Sequence, residues 1–173
     1  MRDAKRSCGE CDLCCTVLRV DELGKLGGRC CEHQRGGGKG CGIYENRPNI
    51  CRSYRCLWLK GGLEASDRPD QIGAVIDLCV GEGPAYLGIR QLHEGRFEAS
   101  PRLQEIAELF RETIPVRITR SEDATNDSRP YRVLHAGGVE RRIEGEWVEE
   151  VRAGKTVARR RMPWLERRFR GVR

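Results

Sequence analysis

The sequence predicts an α+β fold: a loop-rich, metal-stapled N-terminal cysteine module joined to a small antiparallel or mixed sheet with one main helix. Three observations lead there. Nine of the ten cysteines fall within residues 1–62. Short apolar runs separated by glycine and proline turns fill residues 63–151, and one stretch among them, after Ser100-Pro101, has helical apolar spacing. The remainder, residues 152–173, reads as a basic tail.

The front region carries many glycines, including Arg35-Gly36-Gly37-Gly38-Lys39-Gly40, and little apolar periodicity. Such a run is a flexible loop, and hydrophobic burial alone does not fold a segment of this kind. The middle region is more ordinary. Ile72 to Val80 is a short apolar run suited to a buried strand, and Ala85 to Leu92 alternates enough to be its neighbour, with Gly81-Glu82-Gly83-Pro84 as the turn. Ser100 and Pro101 form an N-cap and first-turn pair. Leu103, Ile106, Ala107, Leu109 and Phe110 then follow at helical spacing. Pro115 ends that helix, Val116 to Thr119 reads as another strand, and Tyr131 to His135 with a weak pair over 139–148 extends the sheet. The tail is poor in apolar residues until Met162-Pro163-Trp164-Leu165, and is expected to be partly disordered or helical.

With 173 residues, 38% apolar and 34% charged, the chain supports one domain with a modest core. No run approaches the roughly 18 apolar residues of a membrane helix, and cysteines instead of an apolar stretch follow Met1 to Arg6, so neither a membrane span nor a secretory signal is expected. The expected location is the cytoplasm, where thiols stay reduced and metal ligation is the usual reason for many cysteines. Net charge is +6, but residues 152–173 hold nine basic side chains against Glu166 alone; that segment is +8 and the rest of the chain −2.

The cysteines of the front region are Cys8, Cys11, Cys14, Cys15, Cys30, Cys31, Cys41, Cys51 and Cys56. Cys8-x2-Cys11-x2-Cys14-Cys15 is the most informative feature. Two intervening residues let both thiolates reach one ion, as in zinc knuckles. Two such steps in succession also open bacterial iron–sulfur sites, where a distant cysteine supplies the fourth ligand. Adjacent Cys14 and Cys15 are expected to point in different directions and to serve two centres, or one centre and a structural role, instead of sharing one ion. Cys31, Cys41, Cys51 and Cys56 arrive at wider intervals, as ligands from separate loops do, and such a site contributes its binding free energy to folding. Arg29, Arg47, Arg52 and Arg55 are placed to offset thiolate charge. Disulfides are disfavoured by compartment and by the vicinal Cys14-Cys15 and Cys30-Cys31 pairs. A catalytic thiol paired with His33 lacks any mark of a nucleophile, and His33, His93 and His135 read as bystanders. Cys79, in an apolar strand, reads as a small buried side chain.

Together with Cys31-Glu32-His33 and the run Gly40 to Leu59 (Gly-Cys-Gly-Ile-Tyr-Glu-Asn-Arg-Pro-Asn-Ile-Cys-Arg-Ser-Tyr-Arg-Cys-Leu-Trp-Leu), that opening resembles the bacterial CxxCxxCC family, a zinc- or iron-chelating domain. The resemblance covers about residues 8–60. It implies metal binding through Cys8, Cys11, Cys14, Cys15, Cys31, Cys41, Cys51 and Cys56, with Cys30 an alternative to Cys31. Pro48 restricts Arg47 to extended backbone, and Tyr44, Tyr54 and Trp58 either shield the thiolates or fill a small core.

Eight thiolates suit two tetrahedral zinc ions, one iron–sulfur cluster (4Fe–4S) plus a zinc, or one cluster with spare cysteines. Zinc is slightly favoured because closed four-cysteine sites stabilise coreless segments. The leading expectation is a metal-binding protein with a structural or chelating role; the alternative is an iron–sulfur redox or electron-transfer protein. No P-loop, dinucleotide fingerprint or metalloprotease helix is present, so no catalytic constellation points to an enzyme. A weaker alternative is nucleic-acid contact by the basic tail, with Trp164 and Phe169 among its cations, set against an ordinary solvated charge run.

Overall fold

The first strands of the sheet form on short, largely buried apolar runs, Ala74–Cys79 and Tyr86–Gln91. The computed structural model describes residues 6–80, 84–120, 130–164 and 167. The expected turn at Gly81-Glu82-Gly83 and the tail residues Arg168, Phe169, Arg170 and Arg173 lie outside them.

In the front segment, helices α1 (Leu13–Val17) and α2 (Asn49–Ser53) are single turns set among loops, with 3₁₀ turns at Asp21–Leu23 and Tyr44–Asn46. A third short helix, α3 (Pro69–Ile72), leads into the sheet; Pro69 starts it and Gly73, at φ +71°, ends it in the left-handed conformation that an L side chain resists. Strands β1 (Ala74–Cys79) and β2 (Tyr86–Gln91) follow, then α4 (Arg96–Ala99), α5 (Pro101–Arg111), and strands β3 (Val116–Arg120), β4 (Tyr131–His135), β5 (Val139–Glu144), β6 (Trp147–Arg152) and β7 (Lys155–Arg161).

Among the described residues these strands make one seven-stranded sheet in sequential order. Every pairing is antiparallel except β2 with β3, which is parallel. Parallel neighbours need a crossover connection, and α4 and α5 supply it. The Ser100 hydroxyl accepts from the Leu103 amide at 3.3 Å, as its position before Pro101 predicts. Leu103, Ile106 and Ala107 of α5 pack with Ala74, Ile76, Leu87, Ile89, Val116, Ile118 and Leu134 from one sheet face. Leu109 departs from expectation: it is 75% exposed, because the buried stripe of α5 passes through positions 103, 106 and 107 and leaves 109 on the solvent side.

The opposite sheet face carries the cysteine module at one end. Val75 of β1 packs on Leu13 and Val17 of α1, and the Leu57 amide donates to the Ile76 carbonyl at 2.8 Å along the outer edge of β1. At the other end Tyr131, Ile143, Val148 and Met162 form a second small cluster on this face.

Two expectations are corrected. The sheet is larger than the small one expected, and residues 155–161 of the supposed tail are a strand, β7. The tight turn at Ala153 and Gly154, with φ of +48° and +75°, folds this segment back on β6, and Arg159 and Arg161 reach Glu149 and Glu146 at 3.4 and 2.8 Å. Charge had masked a strand whose cations find acidic partners on neighbouring residues. No helix among the described residues is long and apolar enough to cross a membrane.

Candidate metal centre

The front segment closes on itself through backbone contacts that bring distant cysteines together. The Cys11 amide donates to the Cys8 carbonyl at 2.8 Å, making the first two-residue step a turn, and α1 follows with Cys14 and Cys15 in its middle. The Cys31 amide donates to the Cys15 carbonyl at 3.1 Å, and the Gln34 amide to the Cys31 carbonyl at 3.0 Å. Gln34 in turn forms an isolated antiparallel bridge with Cys41. At Gly40, φ is +76°, and a Cβ there would stand 2.8 Å from the Gly9 carbonyl oxygen. Only glycine lets the Cys41 loop approach the Cys8–Cys11 turn so closely.

Cys51 lies on α2, which is anchored from across the module. The Glu22 carboxylate accepts from the amides of Asn49 and Ile50 at 3.2 and 3.0 Å, satisfying two of the free N–H groups at that helix start. Arg47 is extended, with φ −60° and ψ 148°, as the following Pro48 predicts. Its guanidinium lies over the Tyr44 ring at 3.5 Å from the centroid. Cys56 follows Tyr54 and Arg55 and sits against the Val75 cluster.

The result is a cavity of about 270 Å³. Cys8, Cys11, Cys14, Cys15, Cys31, Cys41, Cys51 and Cys56 all line it, as do Tyr44, Tyr54 and Trp58, with Leu18, Val20, Ile43 and Leu59 completing the wall. Cys30 is exposed, is not part of the lining, and has the Thr16 hydroxyl at 3.9 Å as its neighbour. His33 is on the wall, 3.4 Å from Glu32, and its carbonyl accepts from the Gly42 amide at 2.7 Å. Cys79 is half-buried and lies off the cavity; Arg90 Nη2 donates to its sulfur at 3.5 Å, so its surroundings are more polar than an apolar strand suggests.

Electrostatics shows which thiols are near neighbours. Burial pushes the Cys11 thiol up to about 11, with Cys56 among the charges acting on it. Burial likewise raises Cys56, which feels Cys8. Burial raises Cys51, which feels Cys15, Cys31 and Cys41. Cys14 and Cys15 act most strongly on each other: Cys15 raises Cys14, which also feels Cys8 and Cys11, and Cys14 lowers Cys15 to about 7, helped by the cations of Lys25 and Arg47.

Three groups near the cysteines went unremarked in the sequence. Lys25 is 8% exposed, and its ammonium donates to the carbonyls of Thr16 and Leu26 at 3.1 Å each and to that of Leu18. A lysine four residues past Asp21 gives no signal that it will turn inward. Asp77 and Arg90 stand on the cavity floor, where the Tyr54 hydroxyl and the Arg90 guanidinium both donate to the Asp77 carboxylate. Their signal was faint but real, a charge at alternating positions in otherwise apolar strands. Of the four arginines expected near the thiolates, Arg47 lines the cavity. Arg52 instead donates to the carbonyls of Arg47 and Glu45 at 2.8 and 3.1 Å, and Arg29 and Arg55 are exposed.

Two further observations bear on whether these residues fit a metal. One carboxylate oxygen of Asp12, buried at the start of α1, has no hydrogen-bond partner among the described residues, the situation in which a cation or a donor is wanted. Against this, no group of three or more Cys, His, Asp or Glu among the described residues is arranged to hold an ion. A four-thiolate zinc with bonds of ~2.3 Å requires sulfurs about 3.8 Å apart. Thiolates are donors that zinc and iron accept, and eight cysteines line one cavity. Comparison with protein-family models, with curated proteins and with solved structures found no match.

Proposed function

We propose that this is a metal-binding protein whose front segment holds zinc or iron through Cys8, Cys11, Cys14, Cys15, Cys31, Cys41, Cys51 and Cys56, in a structural or chelating role. One observation carries the reading: the eight cysteines that the CxxCxxCC resemblance implies line one cavity, while Cys30 and Cys79 do not. Soft thiolates select zinc, copper(I) and iron–sulfur centres over hard cations. Each cysteine side chain turns about a single torsion with three staggered wells. The backbone that carries them is held by amide bonds and by the close approach of Gly40 to Gly9. The likeness of residues 8–60 to the CxxCxxCC family supports the same reading. In a cytoplasmic setting the thiols stay reduced and available.

Zinc is the first choice, since closed four-thiolate sites stabilise segments without a core. The redox alternative draws on a specific feature: Cys8, Cys11 and Cys14, spaced two residues apart, share their neighbourhood with the distant Cys56, the ligand order of a bacterial iron–sulfur site. Zinc, iron and acid-labile sulfide, measured together on anaerobically purified protein, test both. Stoichiometric zinc without colour supports the first reading, and brown protein with matching iron and sulfide supports the second. A reduced, folded protein without any of the three, unable to take up zinc, refutes metal binding.

A further inference from the structure

We infer that the eight thiols form two separate four-cysteine centres of unequal lability: an inner one of Cys8, Cys11, Cys14 and Cys56, and an outer one of Cys15, Cys31, Cys41 and Cys51. The inference rests on the metal-binding reading above and goes further, because it assigns each ligand to a centre and a different exchange behaviour to each centre.

The inner four belong to the folded body. Cys11, Cys14 and Cys56 pack against Leu13, Val17 and Val75, the cluster that fixes α1 to the sheet, and the Cys8 carbonyl is tied to the Cys11 amide. Pulling one of these sulfurs off an ion means disturbing side chains buried to 6% exposure or less. Buried core elements open only at a free energy close to that of global unfolding.

The outer four are linked differently. A chain of local contacts runs from the Cys15 carbonyl to the Cys31 amide, from the Cys31 carbonyl to the Gln34 amide, and across the bridge from Gln34 to Cys41. Cys51, on α2, lines the same cavity as these three, and the adjacent Ile50 is 44% exposed. Gly36, Gly37 and Gly38, all at positive φ, lie between Cys31 and Cys41, and no helix or strand occurs from Gly24 to Ile43. Few buried apolar contacts and solvent-facing backbone are the attributes of a segment that opens at low cost. Cys14 and Cys15, one from each set, are adjacent in α1, so the centres meet there without sharing a ligand.

The test is transfer of zinc from the full-length, zinc-loaded protein to a chromophoric chelator under reducing conditions. Two equivalents should be bound, one leaving at least ten-fold faster than the other. Cys51→Ser and Cys41→Ser should each abolish the fast equivalent and leave the slow one intact. Cys56→Ser should lose the slow equivalent; if that variant fails to fold, the two outer variants still decide the matter. Release of both equivalents at one rate, or loss of both in Cys51→Ser, overturns the division into two centres while leaving metal binding in place. If the protein is purified with iron, a 4Fe–4S cluster plus one separate zinc sustains the inference, and a lone cluster with no second ion overturns it. A protein that binds no zinc at all refutes the underlying reading instead.

Discussion

Replacing Lys25 by methionine isolates what one buried cation does for the cysteine module. Methionine keeps an unbranched apolar stem and removes the ammonium that donates to the carbonyls of Thr16, Leu18 and Leu26. Hydrogen bonds to charged groups contribute about 1.5–3 kcal/mol each, so three bonds bound the loss at roughly 4.5–9 kcal/mol. Two effects reduce it. Burial pushes the lysine pKa down, so its charged form already carries a desolvation cost that methionine avoids, while Cys31 and Cys15 act in the opposite sense. Water also reaches part of the freed carbonyls. A net loss of about 3 kcal/mol remains, equivalent at a urea m-value of ~2 kcal/mol/M to a midpoint lowered by about 1.5 M. Equilibrium urea unfolding followed by tryptophan fluorescence reads it, with the metal content of both proteins measured alongside. Lys25→Arg should recover only part of the loss, because a planar guanidinium does not direct three donors around one point. A methionine variant within about 0.5 kcal/mol of the parent, the range of ordinary surface changes, would refute the assignment of Lys25 as the tie between α1 and its following loop.

Cys30→Ser should leave metal stoichiometry unchanged and Cys31→Ser should lower it, since Cys31 lines the cavity and Cys30 does not; elemental analysis of the two variants decides between neighbours that the sequence left open. Gly40→Ala places a Cβ 2.8 Å from the Gly9 carbonyl oxygen at a φ of +76°, which should cost about 2 kcal/mol or more from strain and displacement, seen as a lower midpoint in the same urea assay. Asp67, 1% exposed, accepts two bonds of 2.8 Å from Arg102, which hold its carboxyl below the usual carboxylate range. Its stabilising effect is therefore complete above the unfolded value of ~3.9 and fades as pH falls through the lower folded value. Arg102→Met should destabilise by about 1–2 kcal/mol at pH 7, less than a fully buried pair because Arg102 is partly exposed, and the difference from the parent should shrink below about pH 4 in urea midpoints measured against pH.

Much of this was legible before any coordinates. Short apolar runs and the Ser100-Pro101 signal locate β1 to β4 and α5 because local chemistry decides those elements: burial of Val75, Ile76, Leu87 and Ile89 within the sheet and a hydroxyl ready to cap; the weak pair expected over 139–148 covers β5 but only the first two residues of β6. The strand β7 was not legible. Its sequence, Lys-Thr-Val-Ala-Arg-Arg-Arg, becomes a strand through pairing with β6 and through acids at 146 and 149, which is tertiary information. At the site, the eight cysteines that the resemblance implies line one cavity. The inward turn of Lys25, the Glu22 anchor for α2 and the contact between Gly40 and Gly9 depend on segments that meet only when the module folds.

The junction between module and sheet explains why the cysteine segment need not be a self-contained finger. The side chain of Asp77 lies between Tyr54 of the module and Arg90 of β2, and both donate to it. A carboxylate this buried, 8% exposed, is costly without partners, so Tyr54 of the module and Arg90 of the sheet together relieve the charge that β1 presents. Burial and the adjoining carboxylate push the Tyr54 hydroxyl far above its ordinary range, so it remains a proton donor to Asp77 at any physiological pH. Tyr54 lies two residues before Cys56, and Asp77 two residues beyond Val75, on whose cluster Cys56 packs. The position of Cys56 is thus set from the sheet, through the Tyr54–Asp77 and Leu57–Ile76 hydrogen bonds and an apolar contact, and not by the loops alone. The sheet forms one wall of the cavity through Val75, Asp77 and Arg90, and the loops that carry Cys31 and Cys41 form another.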